Sequence, residues 1–128
     1  MMEKIPCICA MRDLAQALSR LEAELQDVYG VTLNEAMVMC SIGNDVVTAG
    51  SISDCCGMKA PHTSKVLAAL EERGWVSRHF DGTDRRRVSV ALTAAGRICL
   101  TRLKTKGLTI PPQLRLWLDG ADIPAAGS

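Results

Sequence analysis

At Gly74 the hydrophobic period of the chain changes from that of a helix to that of a strand. Upstream, Thr63, Val66, Leu67 and Leu70 recur at spacings of three and four. Downstream, Trp75-Val76-Ser77-Arg78-His79-Phe80 and Arg87-Val88-Ser89-Val90-Ala91-Leu92 alternate. A helical stripe that stops at a glycine and passes directly into two alternating runs predicts a helix followed by a strand pair. Asp81-Gly82 between the runs is a turn signal, so the pair reads as a β-hairpin with a charged tip, Asp84-Arg85-Arg86-Arg87.

The remainder is helical by the same reading. Met11, Leu14, Leu18, Leu21, Leu25 and Val28 follow a 3,4,3,4,3 spacing over a predicted helix 8–30 that ends at Gly30. So narrow a seam suits packing against one other helix, from the same chain or from a partner. Thr32-Leu33-Asn34-Glu35 is a capping-box pattern that opens a second helix through Met37, Val38, Cys40 and Ile42. A third, short helix runs from about Ala49 to Cys56, and Gly57 breaks it. Pro61 restarts the helix, since a first-turn residue has no N–H partner to lose. Lys59, just before it, has no side-chain acceptor for the first amides. Thr93 caps a fifth helix through Ile98, Cys99 and Leu103, which Gly107 and Pro111-Pro112 interrupt. Leu114 to Leu118 is a short apolar piece, and residues 121–128 are expected to fray.

With 128 residues the chain has room for one domain core, and the expected division is 8–30, 32–93 and 94–120 within it. Apolar residues make up 48% of the chain but aromatics only 3%, so the core must come from aliphatic side chains, Met and Cys. The fold class expected is mainly α with a small β-hairpin. No run of about 18 apolar residues exists, and the N-terminus lacks the apolar centre of a signal peptide. A cytoplasmic protein with no membrane partner is therefore expected, with Cys7, Cys9, Cys40, Cys55, Cys56 and Cys99 as thiols.

The net charge of +1 conceals an asymmetry. Residues 1–58 carry a net −5, and residues 59–106 a net +7. Two helices joined at a glycine, followed by a basic hairpin, form the pattern of a winged helix-turn-helix, and the basic half suggests a polyanion partner. In that pattern the second helix enters a major groove about 12 Å wide while the hairpin reaches the neighbouring backbone or minor groove. Subtracting the core positions leaves Lys59, Ala60, Pro61, His62, Ser64, Lys65, Ala68 and Ala69 as the groove-facing set, and Arg78 on the first strand adds charge. His62 and Ser64 offer hydrogen bonds to base edges or phosphates, and Lys65 can reach either. Arg86 is the candidate to enter a narrow minor groove, with Asp84 holding its guanidinium. Arg85 and Arg87 alternate onto the opposite face and are assigned to phosphates.

The stretch Asp84-Arg85-Arg86-Arg87-Val88-Ser89-Val90-Ala91-Leu92-Thr93 resembles the wing signature of MarR-type transcriptional regulators, Asp-x-Arg, five residues, Leu-Thr. Gly96 falls where that family usually has a glycine, and Leu70-Glu71-Glu72-Arg73-Gly74-Trp75-Val76 looks like the end of its recognition helix. The resemblance covers roughly residues 32–106. It implies a winged helix-turn-helix flanked by N- and C-terminal dimerisation helices, and a homodimer that reads double-stranded DNA at half-sites roughly 34 Å apart. The dimer interface it implies involves Met11, Leu14, Leu18, Leu21 and Leu25 with Leu116 and Trp117. It further implies a repressor released by a small-molecule effector or by oxidation.

Among the cysteines, Cys40, Cys56 and Cys99 fall on apolar faces and read as core residues. Cys55 points outward. Cys7 and Cys9 precede the first helix, where helix-terminal amides could stabilise a thiolate, and they are the candidate redox pair. No cofactor or metal is expected: His62 and His79 are the only histidines and no CxxC pair accompanies them. No catalytic residues are expected either, because no Ser/His/Asp arrangement, phosphate loop or HExxH occurs. The alternative to a DNA-binding regulator is a winged-helix module whose basic hairpin docks an acidic protein partner.

Overall fold

In the computed structural model, which describes residues 5–80, 87–112 and 114–115, Ile5 is extended and Pro6 opens the first helix, α1 (Pro6–Glu24). Cys7 and Cys9 therefore lie inside the first turns of α1, not ahead of it, because Pro6 occupies the position where a missing N–H costs nothing. The helix widens into a π-helical turn, Leu25–Tyr29, and closes at Gly30. The described residues form two compact units, the chain up to Gly30 together with that from Leu103 onward, and Val31–Arg102.

In the first unit, Tyr29 Oη donates to the carbonyl of Gly107 at 2.6 Å. Glu24 accepts from both the amide and the hydroxyl of Thr109, at 2.8 and 2.9 Å. Leu25 is buried and Leu14 and Leu21 are half-buried, whereas Met11 is 63% and Leu18 40% exposed. Ile5 and Ile8 are exposed as well, so the amino-terminal stretch of α1 leaves apolar surface uncovered within one chain. Leu116 and Trp117 lie outside the described residues.

The second unit contains α2 (Leu33–Ile42), β1 (Val47–Thr48), α3 (Ala49–Cys56), α4 (Ala60–Glu72), β2 (Val76–His79), β3 (Ser89–Leu92) and the start of α5 (Ala94–Lys106). The capping box forms as the sequence predicts. Thr32 Oγ1 accepts from the Glu35 amide at 3.1 Å, and Glu35 Oε1 accepts from the Thr32 amide at 2.8 Å. Glu35 is also buried against Arg73, whose Nη1 lies 3.2 Å from both carboxylate oxygens, and the guanidinium stacks 4.1 Å above the Trp75 ring. One carboxylate thus caps α2 and ties it to the end of α4. Glu35→Ala is expected to remove both and lower stability by about 2 kcal/mol, with Glu35→Gln intermediate because its amide oxygen still accepts from Thr32. Urea unfolding midpoints of the two variants check this ordering.

Val38, Met39 and Ile42 carry the buried face of α2. Cys40 is exposed, which corrects its assignment to the core: two residues past Val38 a helical side chain has rotated about 200° away. Thr48 caps α3 by accepting from the Ser51 amide at 3.1 Å, and Gly57 ends it. On α4, Thr63, Val66, Leu67 and Leu70 are buried as expected, and Lys59 makes no side-chain cap. The Thr63 and Ser53 hydroxyls meet at 2.7 Å, joining α3 to α4 inside the corner.

After α4 the backbone reverses at Gly74, whose φ of 78° is the left-handed conformation that a side chain disfavours. The sheet has three strands in the order β1-β3-β2, all antiparallel. Val76 faces Leu92 and Arg78 faces Val90 across β2 and β3, while Val47 faces Val90 across β1 and β3. Val88, Val90 and Leu92 are buried and the residues between them are not, the period of two that the sequence carries. The third strand, β1, goes beyond the expected hairpin. With only two residues it has no period to read, and only its pairing with β3 defines it.

Candidate nucleic-acid interface

Burial of Thr63, Val66, Leu67 and Leu70 turns Pro61, Ser64, Lys65 and Ala68 outward on α4. An open groove of about 780 Å³ runs between α3, α4 and the sheet, and Pro61, Ser64, Lys65, Arg78, Phe80 and Asp54 contribute to its lining. The fold therefore brings Pro61, Ser64 and Lys65 of the second helix together with Arg78 of the hairpin on one surface. Lys59 is exposed at the start of α4, and Arg87 is exposed at the start of the strand run. Asp84, Arg85 and Arg86 lie outside the described residues.

Arg78 is not simply a solvent-facing charge. Its cross-strand neighbour is the buried Val90, and its side chain is only 15% exposed. Its Nη2 lies 2.9 Å from Glu71 Oε1 on α4, and its guanidinium sits 5.6 Å from the Phe80 ring centroid. The hydrogen bonds from Arg78 hold the Glu71 carboxyl below its ordinary range, with burial acting the other way. Arg78 thus links the helix to the hairpin while its charge stays at the groove wall.

His62 stands on the flank of α4 that faces α2, where its Nε2 lies 3.3 Å from Asn34 Nδ2. In the sequence Asn34 reads only as part of a cap. No local pattern signals a contact between side chains 28 positions apart.

The cysteines divide by burial. Cys7, Cys40 and Cys55 are exposed, Cys9 and Cys56 half-buried, and Cys99 buried. Burial pushes the Cys56 thiol up, against a lowering hydrogen bond from Ser41, and burial also pushes up Cys99, against Arg102 and Arg73. Both are thereby kept as thiols, the unreactive form. Among the described residues no three His, Cys, Asp or Glu side chains come together to hold a metal ion, and no helix is long and apolar enough to cross a membrane.

The architecture matches solved winged-helix structures. The MepR–DNA complex of S. aureus superposes with a TM-score of 0.66 at 18% identity, covering 79% of this chain and 75% of that one. A mutant MarR from E. coli complexed with operator DNA gives 0.64 at 25% identity, covering 77% and 71%. A probable transcriptional regulator from Pseudomonas aeruginosa gives 0.59 at 27% identity, covering 69% and 68%. No curated protein sequence matches the chain. The MarR family model matches residues 29–87, which include α2, α3, α4 and β2. This stretch resembles the MarR family.

Members of the MarR family are DNA-binding regulators of transcription, not enzymes. The matched stretch contains every described residue of the groove surface except Val88. Leu92-Thr93 and Gly96 lie just beyond it and serve the fold. Thr93 Oγ1 donates to the Gly74 carbonyl at 2.6 Å and accepts from the Gly96 amide at 3.2 Å, so the residue that caps α5 also fastens it to the turn after α4.

Proposed function

We propose that the protein is a homodimeric, sequence-specific double-stranded DNA-binding regulator of transcription, in which α4 enters the major groove and the hairpin reaches the adjacent minor groove. The observation that carries this reading is the outward face of α4, with Pro61, Ser64 and Lys65, set beside Arg78 in a winged helix that resembles the MarR family. That MepR and a mutant MarR are solved in complex with DNA supports a DNA partner. Lys59, Lys65 and Arg87 neutralise phosphates, and His62 and Ser64 read base edges.

The apolar side chains of Ile5, Ile8, Met11 and Leu18 support the dimer, since large exposed aliphatic residues repeating along one helix call for a second surface. Repression, with release by a small molecule or through Cys7 and Cys9, completes the proposal.

Selection of bound duplexes from a genomic fragment pool tests the reading. Binding to the enriched fragment is expected to weaken steeply with salt, by roughly a thousandfold or more between 50 and 200 mM if six or more phosphates are neutralised. Equal affinity for every fragment would instead favour a module that docks an acidic protein through its basic hairpin.

A further inference from the structure

Asn34 occupies the second position of α2, between two residues fixed from several directions. Thr32 and Glu35 form the reciprocal cap, and Glu35 is held by Arg73 at the far end of α4. The backbone that carries Asn34 is therefore tied to α4, and from it the amide reaches His62 at the helix start, 3.3 Å away. An amide nitrogen only donates. With Asn34 Nδ2 as the donor, Nε2 of His62 is the acceptor and the ring proton resides on Nδ1. Pro61, Ser64 and Lys65, the neighbours of His62 in α4, are exposed on the outward surface.

We propose that Asn34 is a positioning residue that fixes the tautomer and orientation of His62, so that Nδ1–H presents a hydrogen-bond donor to the duplex. This rests on the reading of α4 as the helix that enters the major groove. A fixed donor selects the acceptors displayed there, guanine O6 and N7, adenine N7 and thymine O4, and rejects the amino donor of cytosine N4. An untethered imidazole rotates and exchanges its tautomer, and so accepts either kind of edge. Asn34 thereby sharpens the base preference of a residue on another helix without touching DNA.

The test compares the parent, Asn34→Ala, His62→Ala and the double variant, first by selection from a randomised duplex pool and then by anisotropy with the duplex the parent enriches. Asn34→Ala is expected to lose roughly three- to tenfold in affinity for that duplex and to admit cytosine at one position per half-site, with the urea midpoint and the salt slope unchanged. In the His62→Ala background the Asn34 substitution is expected to have no further effect. Additive losses, or an unaltered base preference in Asn34→Ala, would overturn the inference while leaving the DNA-binding reading intact. A parent that enriches no sequence removes that reading, and the inference with it.

Discussion

Gly96→Ala is expected to destabilise the protein by about 3 kcal/mol or more, although the same change in an open helix would stabilise it by up to about 1 kcal/mol. Gly96 lies in the first turn of α5 without a positive φ, so the cost comes from space and not from backbone conformation. A Cβ built there would collide with the Trp75 carbonyl oxygen, with the carbonyl carbon at 3.1 Å and Leu92 Cδ2 at 3.3 Å behind it. The Trp75 carbonyl cannot swing aside cheaply, because it accepts from the Thr93 amide at 3.0 Å. Relief of the clash must lift α5 from β2 and strain the bonds of Thr93 to Gly74 and Gly96. The sign of the change is diagnostic: urea unfolding followed by far-ultraviolet circular dichroism should show a lower midpoint. A midpoint at or above the parent's would mean that α5 does not seat on the backbone of Trp75.

Arg86→Ala is expected to weaken binding to the selected duplex by roughly ten- to a hundredfold with little change in the unfolding midpoint. An arginine at a hairpin tip can enter a narrow minor groove, where the potential is most negative, and Asp84 two residues earlier can orient its guanidinium. Arg87, by contrast, is exposed on the face opposite the buried Val88, Val90 and Leu92, as the strand alternation requires. Arg87→Ala should cost less and reduce the salt slope by about one phosphate equivalent. The unequal effects of the two substitutions, measured by anisotropy over a salt series, test the division of labour among the three arginines. An Arg86→Ala variant with the parent's affinity would sink the minor-groove assignment.

Much of the second unit was legible in the sequence because its determinants are local. The capping box of Thr32 and Glu35, the buried set Thr63, Val66, Leu67 and Leu70, the turn at Gly74 and the alternation of Val88, Val90 and Leu92 all depend on neighbours within a few residues. What the sequence pattern does not carry is tertiary. Cys40 looked apolar enough for the core, but the angular centre of the α2 face is set by Val38, Met39 and Ile42. Arg78 reads in the sequence as one more basic side chain, and only packing brings Glu71 of the neighbouring helix beside it. The two residues of β1 could not show a period, and β3 recruits them by backbone pairing alone.

The sequence by itself determined the order of the five helices and the two hairpin strands, the core face of α4, the concentration of positive charge from Lys59 onward and the outward exposure of that helix's polar side chains. These follow from period, cap and composition, which act over one or two turns of chain. Only the tertiary structure decided that Glu35 reaches Arg73, that Asn34 reaches His62 and that Gly96 must lack a side chain because it packs on Trp75. Each of these joins residues 21 or more positions apart, and such contacts are fixed by how whole elements pack, a quantity that no window of sequence contains.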